Sequence, residues 1–386
     1  MRFEVVIIGA GIAGISTAYS LQKKGISNVL VVDRAGVNAG STNRAAGIVS
    51  HLFTAKLELG IIKNSVRIFK EIEKESMGHF SYHQIGMLSV GRKRDEQRLF
   101  QALEAMRETD VSASLLDKEG IKELVPDIIG DDLKLGVHCM ESGYLDQALF
   151  TGVTADLLES RGVSIVEGVD VHGIIFGRNR EVRGIETSQG PIASDKVVIA
   201  GGVWSKSLGE RAGLPFHVST QKAQSMTLLL QKSMRIPIFF DLTSKIYMRP
   251  VREKVILAGN GSKLYRGKID NYPSHAESRF IHGFKLRLSS RFKHFYKSKI
   301  LDAWSGLYCS TPDGRPLVGE SNRVKGLFYL FAFQGLGIMF GPGCAGLLSD
   351  VIVGRGSGEI LPFRTERFVG KPDRRTIYPK HWSGRK

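Results

Sequence analysis

Residues 4–33 read EVVIIGAGIAGISTAYSLQKKGISNVLVVD, and this stretch decides the fold. An apolar run, Val5 to Ile8, stops at Gly9. A helical pattern follows from Ile12 to Lys24, and a second apolar run, Val29 to Val32, ends at Asp33. Apolar run, glycine turn, helix and second apolar run predict a βαβ unit. The turn carries Gly9-x-Gly11-x-x-Gly14, with Ala10, Ile12 and Ala13 between the glycines. Gly9 permits the tight turn, Gly11 lets the backbone approach a pyrophosphate, and Gly14 lets helix and strand pack closely. The start of the helix offers free N–H groups and a positive dipole end to phosphates. Asp33 stands 24 residues beyond Gly9, where a carboxylate accepts hydrogen bonds from a ribose diol. Arg34 beside it would suit a 2′-phosphate, but the carboxylate argues against that group.

Beyond this unit, helical patterns fall at 57–75, 94–109 and 146–161, and strand-like runs at 85–90, 133–137 and 163–166. A hairpin is expected across 174–176 and 181–186. The run Lys196 to Ala200 meets the double glycine Gly201-Gly202, the pattern of a buried parallel strand ending at a ligand. Strands are expected at 225–230, 245–248, 300–308 and 327–333, and a final helix at 343–353. Nucleotide-binding elements therefore sit at both ends and in the middle of the chain, which predicts two interleaved domains.

The composition bounds the class. A chain of 386 residues with 42% hydrophobic and 24% charged residues is globular and long enough for two cores. Cys139, Cys309 and Cys344 form no CxxC pair and no cluster at metal-ligand spacing. Reduced thiols in a cytoplasmic protein are expected, with no metal site. No secretory signal is visible, and no run approaches the ~18 apolar residues of a membrane span. The net charge of +16 concentrates in 278–301, where basic residues interleave with Phe280, Phe284, Phe292, Phe295 and Tyr296, and in 364–386. Such surfaces suit an acidic protein or a membrane surface. The preferred reading of the first cluster is a solvated helix whose aromatic stripe packs inward. No nucleic-acid module accompanies the charge, so no nucleic-acid partner is expected.

Four further motifs run in order along nearly the whole chain: Gly40-Ser41-Thr42-Asn43-Arg44-Ala45-Ala46-Gly47-Ile48; Ala200-Gly201-Gly202-Val203-Trp204-Ser205; Trp304 to Tyr308 followed by Thr311-Pro312-Asp313-Gly314-Arg315-Pro316; and Gln334-Gly335-Leu336-Gly337-Ile338. Together they resemble the D-amino-acid oxidase-like flavoprotein family, which includes glycine oxidase, sarcosine oxidase and the β-type subunits of dye-linked proline dehydrogenases. The resemblance implies FAD. Ser41 and Thr42 would touch the pyrophosphate, and Arg44, Ala45, Ala46 and Gly47 would belong to the flavin motif, the last three lying along the flavin. Val171 would contact the adenine side, with Ala200, Gly201 and Trp204 in the second turn. Gly335, Leu336, Gly337 and Ile338 would aim N–H groups at the pyrimidine edge of the ring. The expected fold is α/β plus α+β: a Rossmann-like FAD-binding domain (1–80, 144–215 and 310–365) interleaved with a mixed-sheet substrate domain (81–143 and 216–309), then a basic tail (366–386).

Departures from the family refine the expectation. Gly306 occupies the position of the cysteine that links FAD covalently in monomeric sarcosine oxidases, which implies non-covalent FAD. Met339 occupies the position of a lysine used for oxygen activation, which implies a dehydrogenase rather than an oxidase. Tyr308 stands where glycine oxidase carries a carboxylate-clamping arginine, and resembles the sarcosine and proline branch. A carboxylate partner would then come from Arg249, Arg44 or Arg67. His51, Tyr247, Arg249 and Tyr308 are the substrate-pocket candidates, with Ser50 and Asn260 beside them, and no catalytic base is assigned. Strand alternation puts Tyr247 and Arg249 on one face. The expected reaction is two-electron oxidation of a small amino acid or secondary amine, proline-, sarcosine- or glycine-like, with the electron acceptor open. The competing expectations are a 2-hydroxy-acid dehydrogenase with His51 as base, and an FAD-binding subunit of a larger electron-transfer complex.

Overall fold

Alternation along five short apolar strands builds the molecule outward from one sheet. In the computed structural model, which describes residues 2–356 and 358–368, a six-stranded sheet runs in the order Ser164–Glu167, Val29–Asp33, Val5–Ile8, Val197–Ile199, Leu327–Phe331, Leu317–Glu320. The first five strands are parallel and the sixth returns antiparallel. One face of this sheet, with Val5, Ile7, Val29 and Val31, joins a core under helices α1 (Ile12–Gln22), α2 (Lys56–Glu75), α3 (Glu96–Arg107) and, beyond the short α4 (Lys118–Leu124), α5 (Gln147–Glu159). The other face, with Val6, Ile8, Leu30 and Val32, packs on α6 (Ser205–Arg211) and a small sheet of Arg2–Phe3, Gly190–Ser194, Val182–Thr187 and Val171–Phe176.

A second sheet of eight strands runs in the order Lys299–Ser310, Ser219–Leu229, Val255–Leu264, Ile246–Arg252, Ile238–Asp241, Met87–Gly91, Leu135–Cys139, Ala113–Leu116. It is mixed, the pair Ile238–Asp241 with Met87–Gly91 being parallel. Helix α7 (Ser278–Arg291) and the 3-10 turn Lys293–Lys297 cover it. Phe284, Phe292 and Phe295 are buried beneath α7, and Phe280 stacks on Phe284 at 5.1 Å. The aromatic stripe thus packs inward, as expected, while Tyr296 stays exposed. Arg291 is not part of the basic surface: it is buried and paired with Asp132 at 2.7 Å and Asp241 at 2.8 Å. The second basic cluster lies outside the described residues beyond Phe368. Among the described residues no helix is long and apolar enough to cross a membrane, and the three cysteines are buried free thiols.

The final helix is the main departure from the sequence expectation. It runs from Gly337 to Ile352 (α8), six residues longer at its start than the pattern suggested, with Pro342 inside it. Glycine and proline mark a boundary in an isolated helix, but packing overrides that here. Ile12 of α1 lies where side chains at Gly337 and Gly341 would reach it, at 3.7 and 3.4 Å. A Cβ at Gly343 would stand 2.2 Å from the Ile61 carbonyl of α2, and the Gly343 N–H donates to Ser65 Oγ at 2.8 Å. The glycines let three helices cross at backbone contact. Gly343→Ala is expected to lower the unfolding free energy by about 1–3 kcal/mol. Gly346→Ala, with nothing within 4 Å, should be neutral or stabilising by up to ~1 kcal/mol. Urea melts of the two variants showing equal shifts would refute this packing account.

Candidate active site

The carboxyl ends of Val5–Ile8, Val29–Asp33 and Val197–Ile199 open into one elongated cavity of about 930 Å³, near the top of the ~300–1,000 Å³ range of cofactor sites. Gly9, Gly11, Ile12 and Ala13 form its floor. Gly9 has φ +111°, and a Cβ there would meet the Ala200 carbonyl at 2.6 Å. A Cβ at Gly14 would overlap the Gly9 carbonyl. Asp33 closes one end of this turn: Oδ2 accepts from the Ala10 N–H at 2.9 Å, and Oδ1 from Ala35 and Gly36 at 2.9 and 3.1 Å. One lone pair of Oδ2 remains, which a ribose hydroxyl could use. Thr42 Oγ1 accepts from the Ile12 N–H at 3.1 Å and caps α1, while Ser41 donates to the Leu307 carbonyl at 2.5 Å.

The neighbouring loop is held by its carbonyls. Gln147 donates to Asn43 and Ala45, the Trp304 indole N–H to Arg44 at 3.0 Å, and Arg249 Nε to Ala46 at 2.5 Å. Opposite it, Gly335, Leu336, Gly337, Ile338 and Met339 line the cavity as the entry and first turn of α8, so orphan N–H groups and the positive helix end face this wall. Ala332 and Gln334 hold left-handed backbone, φ +61° and +60°, costly for residues with a Cβ. Buried Gln334 secures the bend by donating to Thr311 Oγ1 and the Ala332 carbonyl.

Tyr247 and Tyr308 also line the cavity, from the strands Ile246–Arg252 and Lys299–Ser310, which two other strands of the eight-stranded sheet separate. The Tyr247 hydroxyl lies 2.8 Å from Ser225 Oγ, and the Tyr308 hydroxyl 2.5 Å from Ser262 Oγ. Burial raises both phenols, Tyr308 to about 12, so both stay protonated at neutral pH. Arg44 is on the same cavity wall and has no ion pair among the described residues.

A family model described as FAD dependent oxidoreductase matches residues 4–351. The chain belongs to this FAD-dependent family. Relatives include sarcosine dehydrogenase of Homo sapiens (26% identical, 95% of this chain and 41% of the relative), and sarcosine oxidase subunit beta of Arthrobacter sp (24%, 95% and 91%). The chain spans less than half of the mitochondrial dehydrogenases it matches. Among solved structures, L-proline dehydrogenase from P. horikoshii shares the fold with a TM-score of 0.88 at 23% identity, covering 95% of this chain and 98% of that one. Glycine oxidase from Geobacillus kaustophilus does so at 0.84 and 20%, covering 96% and 100%.

The residues present fit FAD: the glycine cradle, the Asp33 carboxylate, the α8 amides and the buried Ser205 Oγ, which has no partner among the described residues, all border one cavity. Of the sequence candidates, the cavity also collects Arg34, Ser41, Thr42, Arg44, Ala45, Ala46, Gly47, Val171, Ala200, Gly201, Trp204, Tyr247 and Tyr308. Ala10 and Gly14 support the turn from behind. Arg249 is not on the cavity wall: it is buried, holds Ala46 and the Pro250 carbonyl, and stacks on Tyr144 at 4.5 Å. Arg67 lies on the surface, paired with Glu71. Ser50 accepts from the Leu52 N–H, and neither it nor Asn260 reaches the wall. Residues that no motif announced are Ser225, Ser262, Ala332, and Lys268, Ile269 and Asp270, which arrive only through tertiary packing.

His51 also lies off the wall, 1% exposed, with Nδ1 3.2 Å from Ser142 Oγ. Burial, with Lys63 adding to it, lowers its pKa to about 4. Unfolding then releases a histidine of ordinary pKa, ~6.5, so the unfolded state takes up more protons between these values. His51 therefore contributes stability that is complete above about pH 6.5 and lost as pH falls towards 4. Urea melts across this range should show His51→Asn with a shallower decline than wild type. Parallel curves would refute the buried neutral imidazole.

Proposed function

We propose that the chain oxidises a C–N bond of a small amino acid or secondary amine, acting as a dehydrogenase with non-covalently held FAD. The observation that carries this reading is the continuity of one cavity from the Gly9 cradle to the Tyr247–Tyr308 pair. When bound, FAD supplies a two-electron acceptor for the substrate C–H bond. Tyr247 and Tyr308 orient the substrate by hydroxyl contacts, their own positions set by Ser225 and Ser262. Among the described residues no carboxylate hydrogen-bonds either hydroxyl, whose partners are Ser225 and Ser262, which favours an amine bound neutral. Arg44 is the carboxylate partner in this reading, since Arg249 and Arg67 are committed elsewhere. The first turn of α8 stabilises negative charge that develops along the opposite wall.

Position 306 supports non-covalent binding, because a Cβ there would stand 2.9 Å from the Arg44 Cβ and leaves no room for a cysteine. Met339 on the wall supplies no cation, which favours an acceptor other than oxygen. We further propose the domain division given above, with the eight-stranded sheet carrying the substrate side. The outward face of α7, with exposed Arg279, Leu286 and Arg287, suits an acidic protein or a membrane surface.

Acid precipitation should leave yellow flavin in the supernatant; a yellow pellet would overturn non-covalent binding. Anaerobic bleaching against proline, sarcosine, glycine and 2-hydroxy acids should be fastest with a secondary amino acid and slow with every hydroxy acid. Tyr308→Phe should slow bleaching by about 10–100-fold while the bound-flavin spectrum persists. Fastest bleaching by a hydroxy acid would sink the proposal.

A further inference from the structure

The segment 265–277, between the strand Val255–Leu264 and α7, leaves the eight-stranded sheet, packs against the core of the six-stranded one and returns. Its ends are tied to the eight-stranded sheet: the Tyr265 N–H donates to the Thr220 carbonyl at 2.9 Å, and Ser305 donates to Ser274 and Pro273 carbonyls at 2.7 and 2.6 Å. Its middle, Lys268, Ile269 and Asp270, instead forms part of the cavity wall at the Asp33 end. There Asp270 Oδ1 accepts from Arg34 Nη2 at 2.6 Å and from the Trp204 indole N–H at 2.8 Å. The Arg34 guanidinium also lies over the Trp204 ring, 4.4 Å from its centre. Three residues far apart in sequence, all lining the cavity, thus meet in one contact. Arg34 follows the ribose-binding Asp33, Trp204 ends the second glycine turn, and Asp270 comes from this segment.

We propose that 265–277 is a strap across the dinucleotide end of the cavity and that Asp270 is its latch, so that this one carboxylate sets the rate at which FAD leaves. The inference rests on the assignment of this end of the cavity to FAD. Tyr265, Ile269 and Tyr272 pack half-buried against the core beneath the six-stranded sheet and hold the strap near its seat. The fastening itself is polar and open to water: the Arg34 and Asp270 side chains are 40% and 64% exposed. Exposed pairs of this kind are weak and are screened by salt, so the contact opens and closes rather than sealing the cavity. The Arg34 contact, then the Trp204 contact, hold the Asp270 carboxyl below its usual range, which keeps the latch charged into mild acid. Asp270 bonds Arg34 and Trp204, which flank the two glycine turns, while Tyr247 and Tyr308 bond Ser225 and Ser262, so the latch governs retention of the dinucleotide rather than access of substrate.

The test follows release of FAD from purified holoprotein, as the rise of free-flavin fluorescence after dilution. Asp270→Asn should release FAD about three- to tenfold faster than wild type, and Asp270→Glu should restore most of the difference. Raising NaCl should speed wild-type release towards the Asp270→Asn rate, while the variant responds little. Trypsin should cut after Arg266 and Lys268 faster in Asp270→Asn holoprotein than in wild type. Equal release rates and equal salt responses would overturn the latch. If Asp270→Asn fails to fold by circular dichroism, a wild-type release rate indifferent to salt overturns it on its own. A wild-type protein that never retains FAD would instead sink the cofactor assignment, a distinct outcome.

Discussion

Backbone approaches backbone without intervening side chains at the start of α1, and the rest of the molecule is arranged around that approach. Gly14 lies against the Gly9 carbonyl and Gly9 against that of Ala200, so a helix, a strand end and a second turn share a volume that any Cβ would occupy. The consequence is electrostatic as much as steric. Helix N–H groups without intrahelical partners come to the cavity floor where the glycines carry no side chain to cover them, the Ile12 N–H alone being taken up by Thr42. Asp33 then stiffens the turn through the Ala10, Ala35 and Gly36 amides, with one lone pair left over on Oδ2. The same device recurs at Gly343, where α8 meets the Ile61 carbonyl and is thereby aimed at the opposite wall.

What the first turn does with amides, the loop 43–46 does with carbonyls. Gln147, Trp304 and Arg249 each hold one or two of them. The three donors come from α5 and two strands of the larger sheet, so both halves of the molecule fix this loop. Buried carbonyls left without donors would cost free energy and would direct negative dipoles into the cavity. Arg249 is thus a positioning residue for the loop, and burial lowers its pKa without discharging it.

The first βαβ unit, the inward aromatic stripe of 280–295 and the acid at 33 were legible because each rests on local spacing: period two, period 3.6, or a fixed count of residues to a strand end. The start of α8 was not, because Gly337 and Pro342 argue against a helix locally, and what overrides them is packing against Ile12 and Ile61. Arg249 was placed on the correct strand, but alternation gives only a face. Whether a side chain on that face meets ligand or loop depends on partners remote in sequence, here Ala46 and Tyr144. His51 and Ser142 meet for the same reason, and Lys268 to Asp270 carry no pattern of their own.

Charge is divided unevenly along the cavity, and the division has chemical consequences. Arg34 pairs with Asp270, and Asp33, Asp170, Arg211 and Lys268 also line the wall, whereas Tyr247 and Tyr308 offer hydroxyls and Arg44 its guanidinium. A carboxylate beside the tyrosines would hold a substrate amine as its ammonium form and tie up the lone pair that drives loss of hydride from the adjacent carbon. Hydroxyls backed by Ser225 and Ser262 can donate to or accept from the same nitrogen without charging it. With both phenols kept protonated by burial, Tyr247 and Tyr308 would, in the proposed reaction, orient a neutral amine at little desolvation cost.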